Sequence, residues 1–252
     1  FTEMKTTGYL LLLGIVCTTP SHAQNTPERD PDACTSIMVG KNATTDGSVI
    51  TSHTCDSWYR TWVNVVPAKD YESTATTSIY DGRMHTEFVN DQTKLTVKGE
   101  IPQVSHTYSF LDTAYPCLNE KQLAMGETTI SGRNELRNPE GMFMIEELAR
   151  IALERCTTAR EAILLMGDLI KKYGYGDSGE CLTIADKKEV WHFEVFGEGS
   201  KKKGGVWAAV RIPDDEVGVS ANIPRISTLN LKDKDNYMAS ENVFEVAKEL
   251  GF

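Results

Sequence analysis

The sequence predicts a single α+β domain, because its apolar patterning changes from strands to helices and back to strands. Short apolar runs bounded by turn residues lie on both sides of a central stretch in which apolar residues recur at helical spacing. A chain of 252 residues can bury a sizeable core. No change in composition divides residues 34–252, which we therefore treat as one domain.

The first two strands are predicted over 34–39 and 48–52, as a hairpin. Asp46 and Gly47 lie between them, and both residues tolerate the positive φ that tight hairpin turns require. This hairpin would carry the chain back toward residue 34. Weaker strand signals follow over 62–66, 95–97, 107–110 and 122–131.

Two helices are predicted next, over 142–156 and 158–173. The apolar residues of the first fall on one side, and Thr158 with Glu161 forms a capping box that starts the second. The rest of the chain predicts an antiparallel meander and a short closing helix capped by Ser240, over 182–185, 190–195, 206–212, 217–221 and 241–250.

The first 33 residues predict export to the periplasm or the extracellular space. Lys5 precedes an apolar run over 9–17 that is too short to span a bilayer, and Ala23 ends a small-x-small cleavage site. We therefore interpret 1–23 as a signal peptide and 24–33, which is rich in proline and charge, as a removable spacer or propeptide. Lipid modification of Cys17 is an alternative, which the bulky residues before it disfavour.

Composition limits the partners and cofactors. A net charge of −10 argues against nucleic acid and, after signal removal, against membrane surfaces. No cysteine pair has zinc-site spacing, so we expect neither a metal nor another cofactor. Five cysteines follow the signal peptide, and an odd number in an oxidising compartment suggests two disulfide bridges plus one free thiol, with the pairing open.

Cys34 is the strongest catalytic candidate. If proteolysis ends at Ala33, Cys34 becomes the first residue and carries both a thiol and a free α-amine. An α-amine has a reference pKa of about 7.7–8.0, so it can accept the thiol proton near neutral pH. The alternative is an ordinary buried cysteine at the start of a strand.

The strand that begins at Cys34, the Asp46-Gly47-Ser48 turn and Cys55-Asp56 resemble the dipeptidase A family of N-terminal nucleophile (Ntn) cysteine hydrolases. Penicillin V acylases and bile salt hydrolases belong to the same superfamily. The resemblance continues to Phe252 through segments that include Gly126–Thr129, Trp191–Glu194 and Ser220–Pro224. It implies a four-layer αββα sandwich with antiparallel sheets.

The resemblance also implies roles for individual residues. Cys34 would be the nucleophile, Asp56 would orient its amine, and Asn222 would donate to the oxyanion. His53 stands where the acylases have an arginine, and could steady a thiolate when protonated. Thr129 stands near the second oxyanion asparagine of the acylases. Candidates for binding the substrate carboxylate, from their position on either side of Asn222, are Arg211 and Arg225.

These residues predict an exported cysteine dipeptidase that hydrolyses dipeptides or short peptides through a thioester. An acyl-amide hydrolase or acyltransferase on the same scaffold is one alternative, and a non-catalytic envelope binding protein is another. Family members are usually longer, so we expect this chain to be a portion of a longer domain. A homo-oligomer remains open.

Overall fold

The computed structural model describes residues 33–56, 59–60, 62–86, 91 and 93–252. The predicted signal peptide, the alternative of a lipid-modified Cys17 and the predicted spacer up to residue 32 lie outside the described residues. Its strands are β1 (Ala33–Val39), β2 (Ile50–Asp56), β3 (Asn64–Val66), β4 (Lys69–Asp70), β5 (Thr76–Asp81), β6 (Thr96–Pro102), β7 (His106–Thr107), β8 (Phe110–Asp112), β9 (Pro116–Asn119), β10 (Ala124–Ser131), β11 (Gly179–Ala185), β12 (Val190–Gly197), β13 (Gly205–Arg211), β14 (Val217–Ser220) and β15 (Tyr237–Ala239). Its α-helices are α1 (Ile145–Arg155), α2 (Ala159–Tyr173) and α3 (Val243–Glu249), and two short 3-10 helices cover Arg83–His85 and Asn134–Leu136.

An antiparallel sheet of eight strands forms the centre of the fold, in the order β15-β13-β12-β11-β10-β9-β8-β3. Helices α1 and α2 pack on one of its faces, where the main apolar core lies. Phe193 stacks on Trp207 at a ring distance of 5.6 Å, and Trp191 and Leu148 are fully buried. This arrangement confirms the α+β class.

A second sheet, in the order β14-β1-β2, covers the other face of the central sheet. Its contacts with β10 and β11 are small and polar: the hydroxyls of Thr51 and Thr183 lie 2.7 Å apart, and those of Thr128 and Ser220 lie 3.3 Å apart. Met38 of β1 also packs against Ala185 and Val190 of the central sheet in a small apolar cluster. The N-terminal strand is therefore held against the central sheet by both polar and apolar contacts, on the side opposite the helices.

The predicted meander is wrong at its last strand. β14 does not pair with β13 but with β1, in the register Ser36 to Ser220. The chain leaves the central sheet at Pro213 and Asp214, whose carbonyls lie so near Gly40 that an added Cβ would be 2.3–2.4 Å from them. This close approach joins the β1–β2 connection to the crossing segment and brings the C-terminal end of β14 to the start of β1.

The four-layer sandwich is not completed by the described residues. They form a helical layer, the central sheet and the three-stranded sheet, whose outer face stays exposed. Ile37, Ile50, Val217 and Val219 are 42–58% exposed on that face. We call these four side chains the outer apolar patch.

The two helix starts gave opposite outcomes. The capping box of α2 is confirmed, because the Thr158 hydroxyl accepts from the Glu161 N–H and the Glu161 carboxylate accepts from the Thr158 N–H. Ser240 does not cap α3, since Asn242 precedes that helix and the Ser240 hydroxyl instead accepts from the Trp207 N–H. Among the described helices we find none that is both long and apolar enough to cross a membrane.

Candidate active site

Cys34 is the second residue of β1 and lies opposite Cys55 of β2. The Cys34 N–H points toward the β14 side, whereas the Thr35 N–H bonds the Thr54 hydroxyl on the β2 side. Cys34 and Cys55 are therefore a non-hydrogen-bonded pair, the type in which Cα atoms are only about 4.5 Å apart and side chains lie closest. The hairpin thus places a second thiol directly beside the candidate nucleophile.

The surroundings lower the pKa of the Cys34 thiol. A hydrogen bond from the Cys55 side chain is the largest cause, and a backbone N–H of Asp56 acts in the same direction. Burial and the charge of Glu127 oppose this shift. The same contact and burial raise the pKa of Cys55, so Cys34 is the member of the pair that ionises first.

Asn222 joins the start of β1 to the end of β10. Its side-chain oxygen Oδ1 accepts a hydrogen bond of 2.7 Å from the Cys34 nitrogen, and its Nδ2 donates to the Thr129 carbonyl at 2.8 Å. The residue adopts a φ of 53°, in the left-handed region that asparagine tolerates better than most residues. Its side chain thus reaches the atom that would become the α-amine.

Asp56 and His53 lie on opposite faces of β2. Asp56 faces Ala33 in the register and is exposed, so its carboxylate lies on the outer face, beside the residue before Cys34. His53 points inward, over Gly126, where an added Cβ would be 2.8 Å from its Nδ1. Burial lowers the pKa of His53, so near neutral pH the imidazole is uncharged and the expected positive charge beside the thiolate is not favoured.

Thr129 contacts Asn222 through its backbone carbonyl rather than through its hydroxyl. Its carbonyl accepts from Asn222, while its hydroxyl donates to Glu127 Oε1 at 3.1 Å. Glu127 and Glu180 are both buried, and burial raises the pKa of both carboxyl groups, so that Glu180 holds a proton against Glu127. The sequence analysis missed Cys55, Glu127 and Glu180 as neighbours of the site, although two of them lie within segments that it singled out.

The two arginine candidates have different surroundings. The Arg211 guanidinium bonds Glu189 at 3.0 Å and also contacts Asp214, so it is already paired with two carboxylates. Across the sheet, Arg211 lies opposite Trp191 of β12, which lies opposite Ile184 of β11. Ile184 is four residues along β11 from Glu180, a distance of about 13 Å at the usual rise per residue. The structure therefore does not bring Arg211 together with Cys34 and Asn222, whereas Arg225 is exposed on the segment that follows Asn222.

The expectation of two disulfide bridges is also wrong. All five cysteines of the described part of the chain are free thiols, namely Cys34, Cys55, Cys117, Cys156 and Cys181. In the part of the chain that the structure describes, no group of three or more His, Cys, Asp or Glu side chains is arranged to hold a metal ion.

The chain belongs to peptidase family C69, the dipeptidase A family of cysteine peptidases, whose family model matches residues 33–252. Among curated proteins it is 30% identical over 226 residues to a probable dipeptidase of Latilactobacillus sakei, covering 84% of this chain and 44% of that protein. It is 29% identical over 229 residues to a probable dipeptidase B of Lactococcus lactis subsp. lactis, covering 85% of this chain and 44% of the other. A probable dipeptidase of Salmonella dublin is 26% identical over 233 residues, which is 87% of this chain and 49% of that protein. The chain thus spans less than half the length of these relatives.

Proposed function

We propose that this chain carries the nucleophile half of an exported cysteine dipeptidase, in which Cys34 is exposed as the N-terminal residue by proteolysis after Ala33. The observation that carries the proposal is the 2.7 Å contact between Asn222 Oδ1 and the Cys34 nitrogen. A free amine at that position keeps N–H groups to donate to Asn222, so the contact survives cleavage. The names of the relatives support peptide hydrolysis.

In the proposed mechanism, the α-amine of Cys34 takes the proton from its own thiol, and the thiolate attacks the carbonyl carbon of the peptide bond. The lowered pKa of the Cys34 thiol favours this ionisation. The amine then gives the proton to the leaving nitrogen, which departs as the amine of the second amino acid. Water hydrolyses the remaining thioester, with the amine again accepting and returning a proton.

Asn222 has two tasks in this proposal. Its Oδ1 orients the amine, and its Nδ2 carries two hydrogens, of which one is donated to the Thr129 carbonyl. The second hydrogen can be donated to the negatively charged oxygen of the tetrahedral intermediate. Removing one such donor typically costs 10²–10³ in kcat.

Arg225 is the residue we assign to the substrate's free carboxylate. It follows the turn that carries Asn222, its side chain is exposed, and it lines a cavity of about 330 Å³ together with His192 and Val219. A guanidinium binds a carboxylate through two parallel hydrogen bonds, which suits the C-terminal end of a dipeptide. In this scheme the uncharged His53 side chain packs on Gly126 and takes no part in proton transfer.

The proposal is tested by the mature N-terminus and by turnover. Mass spectrometry of the active protein should show a chain that begins at Cys34, and activity in a chain still extending through Ala33 would contradict the proposed base. Cys34→Ala should abolish hydrolysis of dipeptides, with Cys117→Ala as the control thiol. Parallel assays with penicillin V and bile-salt conjugates decide between a dipeptidase and an acyl-amide hydrolase.

A further inference from the structure

A chain of polar contacts crosses the buried layer between the two sheets, and the proposed mechanism gives its residues no role. It consists of Cys181 on β11 with His192 and Glu194 on β12, and their exposed fractions are 0%, 3% and 4%. His192 Nδ1 lies 3.4 Å from Cys181 Sγ, and His192 Nε2 lies 2.9 Å from Glu194 Oε1. Buried groups of this kind are stable only when their hydrogen bonds are made, so the arrangement is well defined.

Glu194 holds the segment that follows Asn222. Its Oε1 accepts the backbone N–H of Arg225, and also that of Ile226 at 3.0 Å. Together with His192, three donors converge on one carboxylate oxygen. Because these two backbone groups come three and four residues after Asn222, the carboxylate fixes the C-terminal side of that turn.

The other side of the turn ends on the same contacts. The Ser220 hydroxyl, two residues before Asn222, donates to Cys181 Sγ at 3.8 Å and lies 3.3 Å from the Thr128 hydroxyl. Asn222 itself has a φ of 53°, a conformation that costs energy in residues other than glycine and must be held by its surroundings. The turn is thus anchored on both sides to β10, β11 and β12.

The charge of His192 is consistent with its hydrogen bonds to Cys181 and Glu194. Burial alone would lower the pKa of His192, but its hydrogen bonds to Cys181 and Glu194 raise it to about 9. Near neutral pH the imidazolium therefore donates from both nitrogens and balances the Glu194 carboxylate. Two further ionisable residues, Arg225 and Tyr237, line the adjacent cavity together with His192.

We propose that Glu194 and His192 are positioning residues, which set the Asn222 turn so that Oδ1 of Asn222 stays on the Cys34 nitrogen. Neither residue touches the reacting atoms, and both act through the backbone of residues 225 and 226. The inference rests on the proposed function, because its effect is on the rate of that reaction.

A double-mutant cycle tests the inference on the processed enzyme. Glu194→Ala should lower kcat by about 10- to 100-fold, which does not exceed the loss of about 10²–10³ expected when an oxyanion donor is removed outright, and change KM by less than about twofold. Glu194→Gln keeps an oxygen for the two backbone N–H groups, so it should recover most of the rate. In an Asn222→Ala background, Glu194→Ala should cost less than about twofold more, because the residue it positions is gone.

Glu154→Gln is the matched control, since Glu154 is also a buried carboxylate but bonds Arg150 on α1. It should lower thermal stability without coupling to Asn222→Ala. Should Glu194→Ala not fold, His192→Gln carries the same comparison. Full additivity of the two losses, or an unchanged kcat in Glu194→Ala, would overturn the inference alone. An Asn222→Ala enzyme with wild-type kcat would overturn the role of Asn222 in the proposed function as well.

Discussion

Cys34 and Cys55 face each other across the β1–β2 ladder, and the pKa of Cys34 is lowered chiefly by the hydrogen bond from Cys55. Cys55→Ala removes this donor, so the pKa of Cys34 should rise. At a fixed pH below that pKa, the thiolate fraction and the rate of alkylation by iodoacetamide should both fall.

The measurement is the pH dependence of the alkylation rate at Cys34, followed by peptide mapping. Cys117→Ala, which removes a half-buried thiol on β9, should leave the profile unchanged. A Cys55→Ala profile that coincides with wild type would show that the facing thiol does not control ionisation.

His53 should make the protein less stable in mild acid. Burial lowers its pKa below the ordinary value of 6.5, so the unfolded chain binds a proton at a higher pH than the folded chain does. The free energy of unfolding should therefore fall as pH drops below about 6.5. His53→Gln should make this fall shallower in urea titrations at pH 7, 6 and 5, and an identical slope would contradict the buried, neutral imidazole.

His192 should act in the opposite direction. Its pKa is raised to about 9 in the folded protein, so its contribution to stability is complete below pH 6.5 and is lost as pH rises toward 9. His192→Gln should flatten the decline in the midpoint of urea unfolding between pH 7 and pH 9. His53→Gln serves as the control, because it should leave this alkaline decline in place.

The two arginines near Asn222 in sequence should differ in what they change. Arg211→Ala breaks charged contacts with Glu189 and Asp214, so it should lower the free energy of unfolding by about 1–3 kcal/mol. It should leave KM for dipeptides unchanged. Urea unfolding and steady-state kinetics measured on the same preparation check both statements.

Arg225→Ala should instead raise KM for dipeptides and spare substrates whose C-terminal carboxylate is amidated. Its effect on stability should stay within about 0.5 kcal/mol, as is usual for an exposed side chain. Equal effects on the free and the amidated dipeptide would remove Arg225 as the carboxylate ligand.

The sequence predicted structural features that depend on residues close together in the chain. The capping box at Thr158 is local and occurs where it was expected. The hairpin of β1 and β2 also forms, but the predicted tight turn is wrong: the strands are joined by the longer connection 40–49, in which Gly47 has a φ of 77° and Asp46 does not have a positive φ. The sequence could not show that β14 would leave the central sheet, because a strand with alternating apolar residues has the same pattern in either sheet. The pairing is decided by contacts between distant residues, such as that of Gly40 with Asp214.

The candidate site divides in the same way. Cys34 and Asn222 were identified by resemblance. The structure brings the Asn222 side chain to the Cys34 backbone nitrogen, although the two residues are 188 positions apart in the sequence. Arg211 was chosen for its nearness to Asn222 in the chain, yet the turn at Pro213 separates the two residues. Glu194 carries no sequence signal for its contact with residues 225 and 226, because both donors are backbone groups.

The outer apolar patch has a consequence for the protein in solution. Ile37 belongs to β1, which contains Cys34, and Val219 belongs to β14, which leads into the Asn222 turn. Any surface that shields these side chains from water, whether a detergent or another macromolecule, also contacts the two strands that lead to Cys34 and to Asn222. We therefore expect light scattering and turnover to change together in mild detergent.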